Sequence, residues 1–211
     1  MRIIGLLQAR TSSTRLPGKV LMRILGEPMI LHQLRRIKRS ELIDDIILCT
    51  SAESSDDELA KVCSGAGYQV FRGSLNDVLD RFVSCLDGEE CDQVVRLTGD
   101  CPLTDPAIID KTIQKHLEKE VDYTSNSLAP TYPDGLDVEV FKITALLRAW
   151  KEAVLPSHRE HATPYIYSHP ELFELQNVEA TNDLSYMRWT VDEPVDFEFV
   201  TQVFEHLYPL N

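Results

Sequence analysis

The segment RIIGLLQARTSSTRLPGK at residues 2–19 decides the fold, because an apolar run passes directly into a loop of small and basic residues. The apolar run at 2–8 is typical of a buried strand, and the Ser, Thr, Gly and Pro residues at 11–18 are typical of a loop. Such a loop offers backbone N–H groups to a phosphate, and Arg10, Arg15 and Lys19 add positive charge. The segment therefore predicts an anion-binding loop after the first strand.

Strands and helices alternate through the next hundred residues. Three apolar runs predict further buried strands: 45–50, 68–71 and 92–98. Helical patterns separate and follow them: 28–37, 55–65, 76–86 and 105–118. We expect a capping box from Ser55 to Glu58, a cap at Asn76 and another at Asp105. The alternation predicts a Rossmann-like three-layer α/β sandwich, with helices on both faces of a mostly parallel sheet.

Beyond residue 120 the pattern is less regular. Strands are predicted at 122–125, 136–141, 173–179 and 185–191, and helices at 143–153, at 158–168 and from Pro194. We expect a single domain over residues 1–211, with a small inserted lobe around 122–180 that covers a substrate or a partner subunit. A homodimer is therefore expected.

The charge of the chain excludes some classes of function. A net charge of −13 argues against nucleic-acid binding, which requires a basic surface. Nine of the 21 Lys and Arg residues nevertheless fall within residues 1–39, together with a single acid, as expected for a local site that binds a small anion. A basic helix face explains the cluster at 35–39, but not the three basic residues of the Gly/Pro loop.

The apolar runs and the cysteines point to one compartment. No apolar run approaches the roughly 20 residues of a membrane-spanning helix. The apolar stretch at 3–7 is too short for a signal peptide. Five scattered cysteines without C-x-x-C spacing are typical of small core residues rather than disulfides or zinc ligands. We therefore expect a cytoplasmic protein that does not interact with membranes.

An acid follows the predicted strand at 92–98. Ligands of open α/β sheets bind beyond the carboxyl ends of the strands, so Gly99-Asp100 should lie at the same edge as the basic loop. A carboxylate there is suited to Mg²⁺, which prefers oxygen ligands. Asp100 could equally cap the next helix, and the pattern alone leaves both readings open.

The basic loop also resembles a known signature. The run LLQARTSSTRLPGKVL at 6–21 is similar to the N-terminal signature of the sugar nucleotidyltransferases, and most similar to its cytidylyltransferase branch. The resemblance continues through FRGSLNDVLDRF (71–82), VVRLTGDCPLTDP (94–106), YPDGLDVEVF (132–141), REHATPYI (159–166) and LSYMRWTVDEPVD (184–196). Together these runs resemble the cytidylyltransferase subfamily named after a spore coat polysaccharide biosynthesis protein. The resemblance implies the nucleotide-diphospho-sugar transferase fold.

The same resemblance implies a nucleotide and a metal. Related uridylyl- and guanylyltransferases usually carry Gly-Gly where this chain has Gln8-Ala9, so CTP is favoured. Lys19, Arg10 and Arg15 would be catalytic, and Asp100 and Asp192 would hold Mg²⁺. The nucleotide-binding residues would be Gln8, Ala9, Arg10, Ser12, Ser13, Gly18, Lys19, Arg72, Gly73, Asp77, Thr98 and Gly99.

The sequence identifies the residues that would bind the acceptor less clearly than those that would bind the nucleotide. Asp137 and Glu139 are two residues apart and would share one face of an extended strand. Like charges on one face attract sugar hydroxyls, an ammonium group or a metal, although a solvated strand face would look the same. Arg159 would bind an anionic acceptor, and His161 could help to deprotonate it. The expected acceptor-binding residues are Asn126, Asp137, Glu139, Arg159, His161 and Arg188.

The predicted reaction is transfer of CMP from CTP to a sugar or sugar-acid acceptor in polysaccharide or glycan biosynthesis, with release of pyrophosphate. One alternative is a glycosyltransferase that uses a nucleotide sugar as its donor. Such enzymes usually carry an Asp-x-Asp metal motif, and the nearest candidate is Asp137-Val138-Glu139. Another alternative is a nucleotide-binding protein without catalytic activity.

Overall fold

The computed structural model describes residues 1–207 and places most of their strands in one central sheet. The strands are β1 Ile3–Gln8, β2 Arg23–Ile24, β3 Glu27–Pro28, β4 Asp45–Ser51, β5 Gln69–Gly73, β6 Gln93–Thr98, β7 Tyr123–Ser125, β8 Glu139–Lys142 and β9 Leu175–Asn177. The sheet order is β5-β4-β1-β6-β8-β7-β9, and β2 pairs separately with β3. β8 is antiparallel to both neighbours, whereas the other pairings in the sheet are parallel. The predicted mostly parallel sheet is confirmed.

Helices cover both faces of this sheet. They are α1 Met29–Ile37, α2 Asp57–Gly65, α3 Val78–Cys85, α4 Pro106–Lys119, α5 Ile143–Glu152, α6 Pro156–His161, α7 Pro164–Tyr167 and α8 Pro194–Leu207. Helices α1, α2, α4 and α8 pack on one face, and α3, α5 and α7 on the other, where α6 contacts α3. β1 is almost wholly buried because both of its faces are covered. This arrangement is the predicted three-layer sandwich.

The starts of the helices correct two predicted caps. Asp105 accepts a hydrogen bond from the backbone of α4, as expected. The cap of α3 is Asp77 rather than Asn76, because the Asp77 carboxylate reaches the N–H of Asp80, three residues along. The capping box at Ser55 is wrong as well. α2 begins at Asp57 after a short 3₁₀ turn and has no side-chain cap at its first turn.

Two other predicted elements differ from the structure. The helix expected at 158–168 is split into α6 and α7 by Ala162, whose φ of 66° breaks the helical path. No strand forms at 185–191 among the described residues. That segment instead makes one isolated bridge, between Asp134 and Arg188.

The segment 122–180, predicted to be a small lobe, contributes β7, β8 and β9 to the central sheet. It also supplies α5, which packs on the same face as α3. The segment therefore shares the main core. Its contact with an acceptor or a partner subunit stays a prediction. Within residues 1–207 no helix combines the length and apolar character needed to span a membrane. The five cysteines are free thiols, as expected, and four of them are buried.

Candidate active site

The basic loop is anchored by a carboxylate that lies outside it. The backbone N–H and the hydroxyl of Thr11 both donate to Asp56, at 2.7 Å each. The N–H of Gly18 closes the loop on the carbonyl of Thr11 at 2.8 Å. Gly18 has a φ of 72°, in the left-handed region that favours glycine. The backbone of the loop is therefore held in a fixed, closed shape.

Asp56 is a residue that sequence reasoning missed, because it was read as part of a helix start. It also accepts hydrogen bonds from the backbone and the hydroxyl of Ser51 at the end of β4. Burial raises the pKa of Asp56, but the hydrogen bonds from Ser51 and Thr11 outweigh burial and leave that pKa below its ordinary value. An ionised Asp56 therefore ties the loop to β4.

Lys19 joins three distant parts of the chain. Its buried Nζ donates to Asp100 at 3.3 Å, to Asp192 at 2.9 Å and to the carbonyl oxygen of Val191 at 2.7 Å. Burial raises the pKa of Asp192, but the hydrogen bonds from Lys19 and Arg188 lower it by more than burial raises it. The pKa of Asp192 is therefore below its ordinary value. The structure thus brings together the predicted catalytic lysine and both predicted metal ligands.

The two carboxylates have the chemistry that a magnesium site requires. Asp100 and Asp192 converge on one ammonium group, so a single cation can contact both. Within residues 1–207 no group of three or more His, Cys, Asp or Glu side chains could hold a metal. Mg²⁺ usually keeps several waters and takes one or two carboxylates together with substrate phosphates, so two acids fit it. The residues present therefore suit Mg²⁺.

Two arginines surround this pair. Arg15 contacts Asp192 at 2.9 Å. Arg188 contacts Asp134 at 2.6 Å, Asp192 at 2.8 Å and Asp196 at 3.3 Å. Hydrogen bonds to Asp196 and Asp192 raise the pKa of Arg188. Sequence reasoning missed Asp196, which also accepts the backbone N–H of Asp192 at 2.9 Å and so fixes that residue.

The end of β6 lies against the end of β1. The Thr98 hydroxyl donates to Asp100 at 2.6 Å, and the Gly99 N–H donates to the Gln8 carbonyl at 2.8 Å. A Cβ atom on Gly99 would lie 2.6 Å from the Cβ of Ala9, which real Cβ atoms do not tolerate. Gly99 is therefore required for the close approach that brings Asp100 to the loop.

The predicted acceptor carboxylates lie at the same edge of the sheet. Glu139 forms an ion pair with Arg96, and Arg96 donates to the Gln8 side-chain oxygen at 3.3 and 3.2 Å. Burial, followed by repulsion from Asp134 and Glu139, raises the pKa of Asp137 to about 6. Arg96 was missed, although a single arginine within the buried strand VVRLT was a signal for it.

Two side chains that were predicted to bind the nucleotide form hydrogen bonds and ion pairs with other residues of the protein. Arg72 donates to the carbonyls of Ser51 and Glu53 and pairs with Asp57 at 2.7 Å. Asp77, besides capping α3, lies 2.5 Å from Arg159. For Arg72 and Asp77, a nucleotide contact stays a prediction.

On the acceptor side, Arg159 also donates to the carbonyls of Trp150 and Ala153, so its guanidinium holds α6 against α3 and α5. Asn126 is buried, and its amide binds the backbone of Leu136 and Val138. These contacts hold the Asn126 amide within the protein, and its contact with an acceptor stays a prediction.

The remaining predicted residues lie near the loop and are accessible. Arg10 is exposed and lies 3.9 Å from Glu160 on α6. Ser12 and His161 are exposed, and the Ser13 hydroxyl accepts the N–H of Leu16 at 3.5 Å. Their contacts with a ligand stay predictions.

Comparison with known proteins assigns the family. A family model described as cytidylyltransferase matches residues 4–206. Spore coat polysaccharide biosynthesis protein SpsF of Bacillus subtilis is 36% identical over an alignment that covers 96% of this chain and 86% of the relative. A 3-deoxy-manno-octulosonate cytidylyltransferase of Geobacter sulfurreducens is 31% identical over 154 residues, covering 71% of this chain and 60% of that protein.

A solved structure agrees with these sequences. A cytidylyltransferase from Leptospira borgpetersenii superposes with a TM-score of 0.93 at 32% identity, over 98% of this chain and 87% of that one. The family model covers nearly the whole chain, including the loop, Asp100 and Asp192. The chain therefore belongs to the cytidylyltransferase family of nucleotidyltransferases.

Proposed function

We propose that this enzyme transfers CMP from CTP to an oxygen of a sugar or sugar-acid acceptor and releases pyrophosphate. The observation that carries the proposal is the contact of Lys19 with Asp100 and Asp192, directly beside the anchored loop at 9–18. A cation, two acids that could bind a metal and a loop of small and basic residues are parts that nucleotidyl transfer requires.

In the proposed reaction the acceptor oxygen attacks the α-phosphorus of CTP. A new oxygen–phosphorus bond forms, the bond between the α-phosphorus and the bridging oxygen breaks, and pyrophosphate leaves with that oxygen. A hydroxyl acceptor gives up its proton to the surroundings. Such chemistry depends on positioning and charge neutralisation more than on a covalent catalyst.

The residues of the chain have distinct tasks in this scheme. The loop closed by Gly18 and Thr11 presents backbone N–H groups to the triphosphate. Arg10 and Arg15 bind its outer oxygens, and Lys19 offsets charge that develops at the α-phosphate. Asp100 and Asp192 would hold Mg²⁺. When bound, the metal would polarise the phosphoryl group and align the acceptor.

The polar side chains at the start of β8 support the proposed class of acceptor. Asp137 and Glu139 can accept hydrogen bonds from sugar hydroxyls, and the exposed His161 lies on the α6 side of the loop. One relative is named for polysaccharide biosynthesis and another for a sugar acid. These features support a sugar or sugar acid used in polysaccharide or glycan biosynthesis.

A pyrophosphate-release screen tests the proposal. The protein is incubated with Mg²⁺, pyrophosphatase and each of CTP, UTP, GTP and ATP, against a panel of sugar acids and sugar phosphates. We expect phosphate release with CTP and at least one acceptor, and its loss in the Asp100→Asn variant. A glycosyltransferase would consume a nucleotide sugar and release no pyrophosphate. CTP binding that is independent of Mg²⁺, without turnover, would favour the non-catalytic alternative.

The segment 122–180 carries two related proposals. It would line the acceptor site through Asp137 and Glu139, and its outer surface would join a homodimer. Light scattering of the purified protein measures the second directly, because a dimer doubles the monomer mass of 24.0 kDa. The cytoplasmic location stays a prediction.

A further inference from the structure

Asp137 lies just before β8, and its carboxylate is not engaged by the rest of the described chain. The acids on either side of it are paired: Asp134 contacts Arg188 at 2.6 Å, and Glu139 contacts Arg96. Within the part of the chain that the structure describes, the Asp137 carboxylate forms no hydrogen bond or ion pair. Its side chain is half-buried and its oxygens are not wholly enclosed, so a substrate can reach them.

The backbone around Asp137 is nevertheless fixed. The amide of Asn126 donates to the carbonyl of Leu136 at 2.8 Å and accepts the N–H of Val138 at 2.8 Å. The chain is therefore held on both sides of Asp137. Val138 is buried in the core beneath α1, so alternation along the chain places Asp137 on the opposite face, together with Glu139.

The strand register places Asp137 beside the proposed metal site. Glu139 pairs with Arg96 across the antiparallel strands β8 and β6. Continuing this register by two residues brings Asp137 level with Thr98, and residues opposite each other in such a pair have Cα atoms about 5 Å apart. The Thr98 hydroxyl donates to Asp100 at 2.6 Å. Asp137 therefore lies at the same strand ends as one of the two acids that would hold Mg²⁺.

The order of the strands matches the order of the reacting groups. The loop at 9–18 follows β1, Asp100 follows β6 and Asp137 precedes β8, and these strands are neighbours in the order β1-β6-β8. In phosphoryl transfer the attacking and leaving oxygens lie roughly in line through the phosphorus. With the pyrophosphate end of CTP on the loop and its α-phosphorus near Asp100, the acceptor oxygen would approach from the side of Asp137.

We propose that Asp137 is the general base, which takes the proton of the acceptor hydroxyl as its oxygen attacks the α-phosphorus of CTP. This inference rests on the proposed function. The O–H bond breaks and its electron pair forms the new oxygen–phosphorus bond. The bond from the α-phosphorus to the bridging oxygen breaks, and pyrophosphate leaves. The neutral Asp137 carboxyl then releases its proton to solvent.

The charges around Asp137 suit this task. The charged groups that face it are three carboxylates and one guanidinium: Asp134, Glu139, Asp100 and Arg96. Burial first, and then the three carboxylates, raise the pKa of Asp137 to about 6, whereas the guanidinium lowers it. A carboxylate with such a pKa is ionised at neutral pH and is a stronger base than an ordinary aspartate.

Turnover of Asp137→Asn tests the inference, because this substitution keeps the size of the side chain. The measured reaction is pyrophosphate release from CTP and Mg²⁺ with the panel of sugar acids and, in parallel, with water as the acceptor. We expect kcat to fall by about 10²- to 10⁴-fold, as for the loss of a general base. The KM for CTP should stay close to the wild-type value, since Asp137 lies on the acceptor side.

The possible outcomes separate the inference from the proposed function. A wild-type kcat in Asp137→Asn would overturn the inference alone. Absence of pyrophosphate release by the wild type with every acceptor would reject the proposed function, and the role of Asp137 with it. His161, the other candidate base, is exposed on α6. A loss of kcat in His161→Gln but not in Asp137→Asn would assign the base to the histidine.

Chemical rescue distinguishes a base from a structural group. Asp137→Ala leaves a space the size of a carboxylate, so formate at increasing concentration should restore part of kcat, whereas chloride at the same ionic strength should not. A matched control is Asp110→Ala, which removes a half-buried acid that binds Ser40 after α1. We expect this control to keep the wild-type kcat and to be insensitive to formate. No rescue by formate, or equal rescue by chloride, would contradict the inference.

Discussion

Replacing Lys19 by methionine should have opposite effects on metal binding and on catalysis. In the structure the Lys19 ammonium lies where a cation bound to Asp100 and Asp192 would sit, at 3.3 and 2.9 Å from their oxygens. A metal that enters without nucleotide must displace this ammonium from its partners. In the presence of CTP, the displaced lysine would gain the triphosphate as a new partner.

The magnitudes follow from these contacts. A hydrogen bond to a charged group contributes about 1.5–3 kcal/mol, so losing the competing ammonium should tighten metal binding by about 10- to 100-fold. Removing a preorganised charge that stabilises the transition state should lower kcat by about 10²- to 10³-fold. Folding should be less affected, because Asp192 keeps its contacts with Arg15 and Arg188.

Titration with Mn²⁺ measures the first effect without any turnover. Electron paramagnetic resonance reports free Mn²⁺ as each nucleotide-free protein is added. We expect Lys19→Met to bind Mn²⁺ more tightly than the wild type, and the exposed Lys38→Met to match the wild type. Adding Asp192→Asn to Lys19→Met should remove the gain. If Lys19→Met binds Mn²⁺ no better than the wild type, the lysine does not occupy the cation position and the reasoning is refuted.

Three further substitutions test other parts of the site. Asp137→Asn should raise the Tm above pH 6 and leave it unchanged below pH 4. A carboxyl whose pKa is raised to about 6 stabilises the fold at low pH and loses that contribution as it ionises. An equal effect on the Tm at pH 4 and pH 8 would contradict this. Asp56→Asn should raise the KM for CTP by about tenfold, because a loosened loop at Thr11 loses about one charged hydrogen bond of binding free energy. An unchanged KM in steady-state assays would show that the loop needs no anchor. Gly99→Ala should lower kcat while far-ultraviolet circular dichroism stays native, because its Cβ would push Ala9 and the loop away from Asp100. Wild-type kcat would show that the contact relaxes freely.

Local patterns in the sequence were sufficient for most of the fold. Alternating apolar runs and helical patterns predicted β1, β4, β5 and β6 and the helices between them, because hydrophobic periodicity and caps act over a few residues. The loop at 9–18 and its cations were readable for the same reason. Predictions failed where neighbouring residues were equally suitable, as at Asn76 and Asp77. The non-helical backbone of Asp77, with φ −113° and ψ 79°, decides that its side chain caps α3.

The sequence by itself determined the chemical parts of this protein: a strand followed by a basic loop, the acids Asp100 and Asp192, and a resemblance that names the family. Only the tertiary structure decided which parts meet. Lys19 reaches Asp192 across 173 residues, and Thr11 reaches Asp56 across 45. Such contacts depend on strand order and register, which long-range packing fixes. Burial likewise left the Nε of Arg81, on α3, without a hydrogen-bond partner, because the charge of a side chain is local information but its solvation is not.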